Sequence, residues 1–191
     1  MSEASKQNAI EKLDAMKFNI ASPDEWLEEG LADISNEPTL LDDVMALRRA
    51  KLNLQLKLVD MPKDRAAFHI EIYNTMPLTT VNAMYNPNFN AIFIYPTFML
   101  TPAYDPLQND AHNYATMMTW GHEITHGFDT NGAHWNKIGE LGDIWASDAD
   151  RQEFEKRSKQ MMDHYSSFDI MPFETGLKND GTYTVSENVD D

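Results

Sequence analysis

His122, Glu123 and His126 stand together in the stretch WGHEITHGFDTNG, residues 120–132. On an α-helix, residues four apart share a face, so both imidazoles can reach one cation. Glu123 is turned about 100° from His122 around such a helix, and so lies beside that cation rather than on it. In this arrangement a zinc ion lowers the pKa of its bound water to about 7, and a neighbouring carboxylate takes the proton as the water attacks a carbonyl. The bland alternative is an exposed helix with two unpaired histidines. Cysteine is absent, so any metal must sit on nitrogen and oxygen; one Zn²⁺ per chain is expected.

A catalytic zinc needs a third protein ligand and an open position. SENVDD, residues 186–191, offers Glu187 at the start of a new helix, with Asp191 four residues later on the same face. A ligating imidazole usually gives its other N–H to a carboxylate or carbonyl, which holds its tautomer. Asp129 and Asp191 are the candidates for that support. Any one acid in so acidic a chain is more simply a solvated side chain. The ordered set of His122, Glu123, His126, Asp129, Glu187 and Asp191 is much harder to reach by accident.

The elements that must hold these residues can be read from periodicity and punctuation. Ile10, Leu13, Met16 and Phe18 recur at helical spacing, predicting a helix over residues 2–18. SPDEW, from Ser22 to Trp26, reads as a cap followed by proline in a first helical turn. Leu41, Val44, Met45, Leu52, Leu56 and Val59 form an apolar stripe on a predicted helix from Leu40 to Val59, closed by Pro62. LTTVNAMY and NAIFIYP flank the turn signal NPNF, predicting a β-hairpin. A loop with Pro102 and Pro106 leads to a helix from about Asp110 to Phe128, carrying the histidines near its end. Ser147, with Asp150 three residues on, starts a helix to about Tyr165; FETGLKNDGTYT is loop, and a last helix begins at Ser186. The expected fold is mainly α with a small antiparallel β-hairpin (α+β). It forms one segment without an internal linker: helical over 1–75, hairpin over 78–96, zinc-binding helices over 109–191.

Acids outnumber bases 31 to 15, a net charge of −16, which argues against nucleic acid as a partner. No run approaches the roughly 20 apolar residues of a membrane helix, and the first residues lack the apolar core of a signal peptide. The chain is expected to be soluble. Its compartment is open between periplasm, exterior and cytoplasm, and a bacterial source is expected.

GHEITHGFD (residues 121–129) followed by ENVDD (187–191) resembles the neprilysin and endothelin-converting-enzyme family of zinc metallopeptidases. VNAMYNPNFNAI (81–92) is similar to that family's Asn-Ala-aromatic-Tyr stretch, with Met84 at the aromatic position, and the opening residues to Trp26 look like a segment from well inside the family's proteins. The resemblance implies a thermolysin-like zinc helix core from an incomplete catalytic domain. It implies His122, His126 and Glu187 as zinc ligands and Glu123 as catalytic base. It also implies Asp129 supporting His126, Asp191 supporting His122, and Asn82 and Ala83 binding the backbone of an oligopeptide substrate. Trp120 departs from the family's smaller aliphatic residue and Thr130 from a common second aspartate, and the run from Asn90 to Pro96 is about one residue long. Met117, Met118 and Trp120 could line a side-chain pocket, although a helix core is the commoner use of such residues.

The family also has a helical portion that roofs the site, and a C-terminal portion whose histidine and arginine stabilise the transition state and anchor substrate. Neither residue has a counterpart here. The expectation is a truncated piece of a zinc endopeptidase with weakened activity, open to self-association through the surfaces left bare. The competing reading is a non-catalytic zinc-binding or interaction module.

Overall fold

Ser2 opens the first helix, α1 (Glu3–Asp14), by accepting the Ser5 N–H on its side-chain oxygen at 3.3 Å. The computed structural model describes residues 1–27, 39–74, 76–100, 103–170 and 176–191. In it α1 stops at Asp14, short of the expected Phe18, because the next residues are taken by a sheet. Strand β1 (Lys17–Ile20) runs parallel to β3 (Ala91–Ile94), in register from Lys17 opposite Ala91 to Ile20 opposite Ile94. The ladder pairs the backbone groups of β1 that face β3. The SPDEW stretch is also corrected: residues 22–27 bend without forming a helix, and residues 28–38 lie outside the described ones.

Helix α2 (Leu40–Val59) has the expected bounds, with Thr39 as its cap. Its expected stripe is not the buried one. Leu54 and Leu58 are buried, while Leu41, Met45, Leu52, Leu56 and Val59 are each at least half exposed. Periodicity marks which residues share a face; the packing of α3 (Lys63–Asn74) on α2 decides which face is covered. Pro62 marks the junction, its carbonyl accepting the Ala66 N–H at 2.9 Å.

The hairpin is part of a three-stranded sheet ordered β1-β3-β2, with β2 (Ala83–Asn86) antiparallel to β3. Asn86 makes the turn, its side-chain oxygen accepting the Asn88 N–H at 3.0 Å. Every residue of β3 is buried. One face packs Ile92 and Ile94 with Ala83, Tyr85 and Met16 against Trp120, Ile124 and Phe128. The other packs Ala91 and Phe93 with Ala67 and Phe68 of α3. A central strand covered on both faces reads as a continuous apolar run, and AIFI is one.

Three helices complete the frame. α4 (Asp110–Thr125) is capped by Asn109, whose side chain accepts the His112 N–H at 2.9 Å; α5 (Asp148–Ser166) is capped by Ser147, which accepts the Asp150 N–H at 3.2 Å. α6 (Val185–Asp190) is short and packs on both. Among the described residues no helix is long and apolar enough to cross a membrane.

Candidate metal centre

α4 leans on β2 and brings its last turn to the edge of the sheet. There the His122 and His126 rings meet edge to face, centroids 4.6 Å apart. α6 carries Glu187 across their open side: its Oε2 lies 3.2 Å from His122 Nε2 and 3.7 Å from His126 Nε2. One nitrogen from each ring and one carboxylate oxygen thus lie within 4.8 Å of one another. The Glu187 side chain is 61% exposed, so the cluster opens to water on that side. Two imidazoles, one carboxylate and a solvent-facing position are the donor set of a catalytic zinc site.

The other nitrogen of each ring also meets a carboxylate. His122 Nδ1 is 3.0 Å from Asp191 Oδ1, and His126 Nδ1 is 3.0 Å from Asp129 Oδ2. An ionised carboxylate can only accept, so both pairs put a proton on Nδ1 and turn Nε2 toward the cluster. Asp129 is itself held: its Oδ1 accepts the N–H groups of Asn131 at 2.7 Å and Gly132 at 2.6 Å. Burial alone would raise its pKa, but His126 and these two amides outweigh burial and keep the carboxyl below its ordinary value. For the metal-free His126, burial opposes the charge, yet Asp129 and Asp190 prevail and push the ring up to about 10. A metal entering here must therefore displace a proton from Nε2 at neutral pH.

Asp190 was not foreseen. Its wholly buried side chain sets Oδ2 2.5 Å from His126 Nδ1, and burial pushes its carboxyl up. His126, Asp129 and Asp190 make a second donor cluster, but it shares His126 and belongs to the support of the first. The only sequence signal was the doubled Asp190-Asp191, in which either acid could have faced inward.

Glu123 is 5% exposed, beside the cluster rather than in it, and accepts the backbone N–H of Tyr85 on β2. Burial pushes its carboxyl up while the two imidazoles pull it back. Just before β2, the Asn82 carbonyl accepts the Tyr95 N–H at 3.2 Å, on the side of β3. By the alternation of an antiparallel ladder, the N–H and C=O of Ala83 face the free edge. The Asn82 side chain lies 3.3 Å from Met76 Sδ, a weak contact. Met117 and Trp120 line an apolar cavity of about 290 Å³ with Phe98, Met99 and Tyr104, whereas Met118 is exposed.

The family model for peptidase family M13 matches residues 82–191. The chain belongs to peptidase family M13. Among M13 relatives it is 32% identical to a neutral endopeptidase of Lactococcus lactis, covering 100% of this chain and 29% of that protein. It is 31% identical to human membrane metallo-endopeptidase-like 1, covering 100% of this chain and 25% of that protein. Among solved structures, a Mycobacterium tuberculosis zinc metalloprotease, Zmp1, in complex with inhibitor superposes with a TM-score of 0.80 at 29% identity, over all of this chain and 28% of that one. PepO from a Lactobacillus gives 0.72 at 31% identity over all of this chain and 29% of its own. The chain thus spans less than a third of the length of the M13 relatives it matches.

Proposed function

We propose that this chain carries the metal centre of a zinc-dependent endopeptidase acting on oligopeptides. The observation that carries the reading is the convergence of His122 Nε2, His126 Nε2 and Glu187 Oε2 within 4.8 Å, beside a buried Glu123. Zinc held by these three donors would supply a Lewis acid that polarises a carbonyl and acidifies water. Glu123 accepts the proton of the attacking water and returns it to the leaving amine, a role helped by its raised pKa. Asp129 and Asp191 hold the two rings in the tautomer that leaves Nε2 free. The outward N–H and C=O of Ala83 pair with an extended peptide laid along β2, and Asn82 binds its backbone. Names such as neutral endopeptidase among the relatives support the same chemistry.

The test compares wild type, His126→Ala and Glu123→Gln. Metal content measured at pH 7 should be near one zinc in wild type and in Glu123→Gln, and much lower in His126→Ala. Equal zinc in wild type and His126→Ala would remove the ligand set. A fluorogenic oligopeptide should be cleaved by wild type and not by Glu123→Gln, whose amide keeps the shape but cannot take the proton. Zinc-loaded wild type with no hydrolysis would instead favour a zinc-binding module without turnover.

A further inference from the structure

The loop that follows α4 closes around a buried lysine that no step above uses. Lys12, on α1, is 0% exposed. Its Nζ donates to the carbonyls of Gly127 at 2.6 Å, Gly132 at 2.6 Å and Trp135 at 2.8 Å. All three ammonium protons are used. The rings of Tyr85 and Phe128 stand 5.8 and 5.7 Å from the nitrogen. We propose that Lys12 is a positioning residue for the metal centre: it clamps the loop 127–135 in the one fold that keeps Asp129 on His126. The inference rests on the reading of His126 as a metal ligand.

The links are short and physical. Gly132 gives its carbonyl to Lys12 and its N–H to Asp129 Oδ1 at 2.6 Å, and Asp129 Oδ2 meets His126 Nδ1 at 3.0 Å. Lys12 is thus two residues removed from the ring. The clamp is anchored at its own end, because the Lys12 carbonyl accepts from Asn90 Nδ2 at 3.0 Å. Burial presses the Lys12 ammonium down to about 8, opposed by Asp129 through space; Lys12 is still charged at neutral pH. Burying a charge is costly where apolar residues would fill the space more cheaply. A lysine here is explained by the three carbonyls, which a loop curled round Asp129 turns inward and which need donors. No arrangement of apolar side chains satisfies them.

The experiment uses the whole chain as wild type, Lys12→Met and Lys12→Gln, with Phe68→Leu as a control that weakens the core on the far side of the sheet. Far-UV circular dichroism and thermal unfolding report the fold. Zinc affinity by chelator competition at pH 7, and the visible spectrum of the Co²⁺ form, report the site. Removal of groups that orient metal ligands typically weakens binding about 10–100-fold. Folded Lys12→Met should bind zinc at least about tenfold more weakly, with an altered Co²⁺ spectrum. Lys12→Gln, which keeps two N–H donors, should fall between. Phe68→Leu should lose thermal stability and keep zinc affinity and spectrum. Folded Lys12→Met with wild-type affinity and spectrum overturns the proposal. So does failure of both Lys12 variants to fold, since the residue would then serve the whole fold. If wild type binds no zinc, the proposed function fails instead. The clamp is then read by amide exchange at Asn131 and Gly132, which must quicken in Lys12→Gln if the proposal is right.

Discussion

Gly132→Ala should damage this protein far more than one methyl group suggests. A Cβ at Gly132 would lie 1.9 Å from the His126 carbonyl oxygen, 2.7 Å from Gly127 C and 2.9 Å from His126 C. All three are backbone atoms, so no rotamer change relieves the clash. The loop must withdraw roughly 1.5 Å to reach van der Waals distance. That displacement breaks the Gly132 N–H bond to Asp129, now 2.6 Å, and disturbs the Gly132 carbonyl under Lys12. Overpacking of this kind costs about 1–3 kcal/mol, and a hydrogen bond to a charged group contributes about 1.5–3 kcal/mol. Together they predict a loss of about 2.5–6 kcal/mol. For a chain of this length that lowers Tm by roughly 10 °C. Gly121→Ala is the matched control: a Cβ there meets nothing within 4 Å, and replacing a helical glycine gains about 0.5–1 kcal/mol. Differential scanning calorimetry of the metal-free proteins decides the matter. A Gly132→Ala midpoint within about 2 °C of wild type would refute the reasoning.

Two further outcomes follow from particular contacts. Ala83→Pro removes an N–H that faces away from β3, so the hairpin should persist while peptide affinity drops about three- to tenfold, the worth of one hydrogen bond; an unchanged KM on a fluorogenic oligopeptide excludes this edge as a binding strand. Asp150 gathers the Ser2 amide and the hydroxyls of Ser2, Ser5 and Ser147, which hold its carboxyl well below the usual range. A depressed carboxyl contributes stability above its unfolded value of 3.8 that is lost as pH falls through the folded one; Asp150→Asn should flatten the acid limb of the urea midpoint, and an unaltered slope below pH 4 contradicts it.

That His122, His126, Glu187, Asp129 and Asp191 come together was largely legible because helical geometry is local. His122 and His126 had to share a face once they stood on one helix, and the cap at Ser147 follows from a side chain reaching three residues ahead. The turn at Asn86, Pro87 and Asn88 joined β2 to β3 for the same reason. Strand β1 was not legible. Lys17 and Phe18 looked like the end of a helix, and only the free edge of β3, more than 70 residues later, made Lys17–Ile20 a strand. The exposed stripe of α2 shows the same limit, since spacing defines a face but not its neighbour. Asp190 and Asp191 differ by about 100° around one helix, and the position of α4 decided which of them reaches which histidine. Lys12 left no trace in the sequence, because its partners are main-chain carbonyls more than 100 residues away. Every residue has a carbonyl; only the tertiary path of the loop turns these three toward one nitrogen.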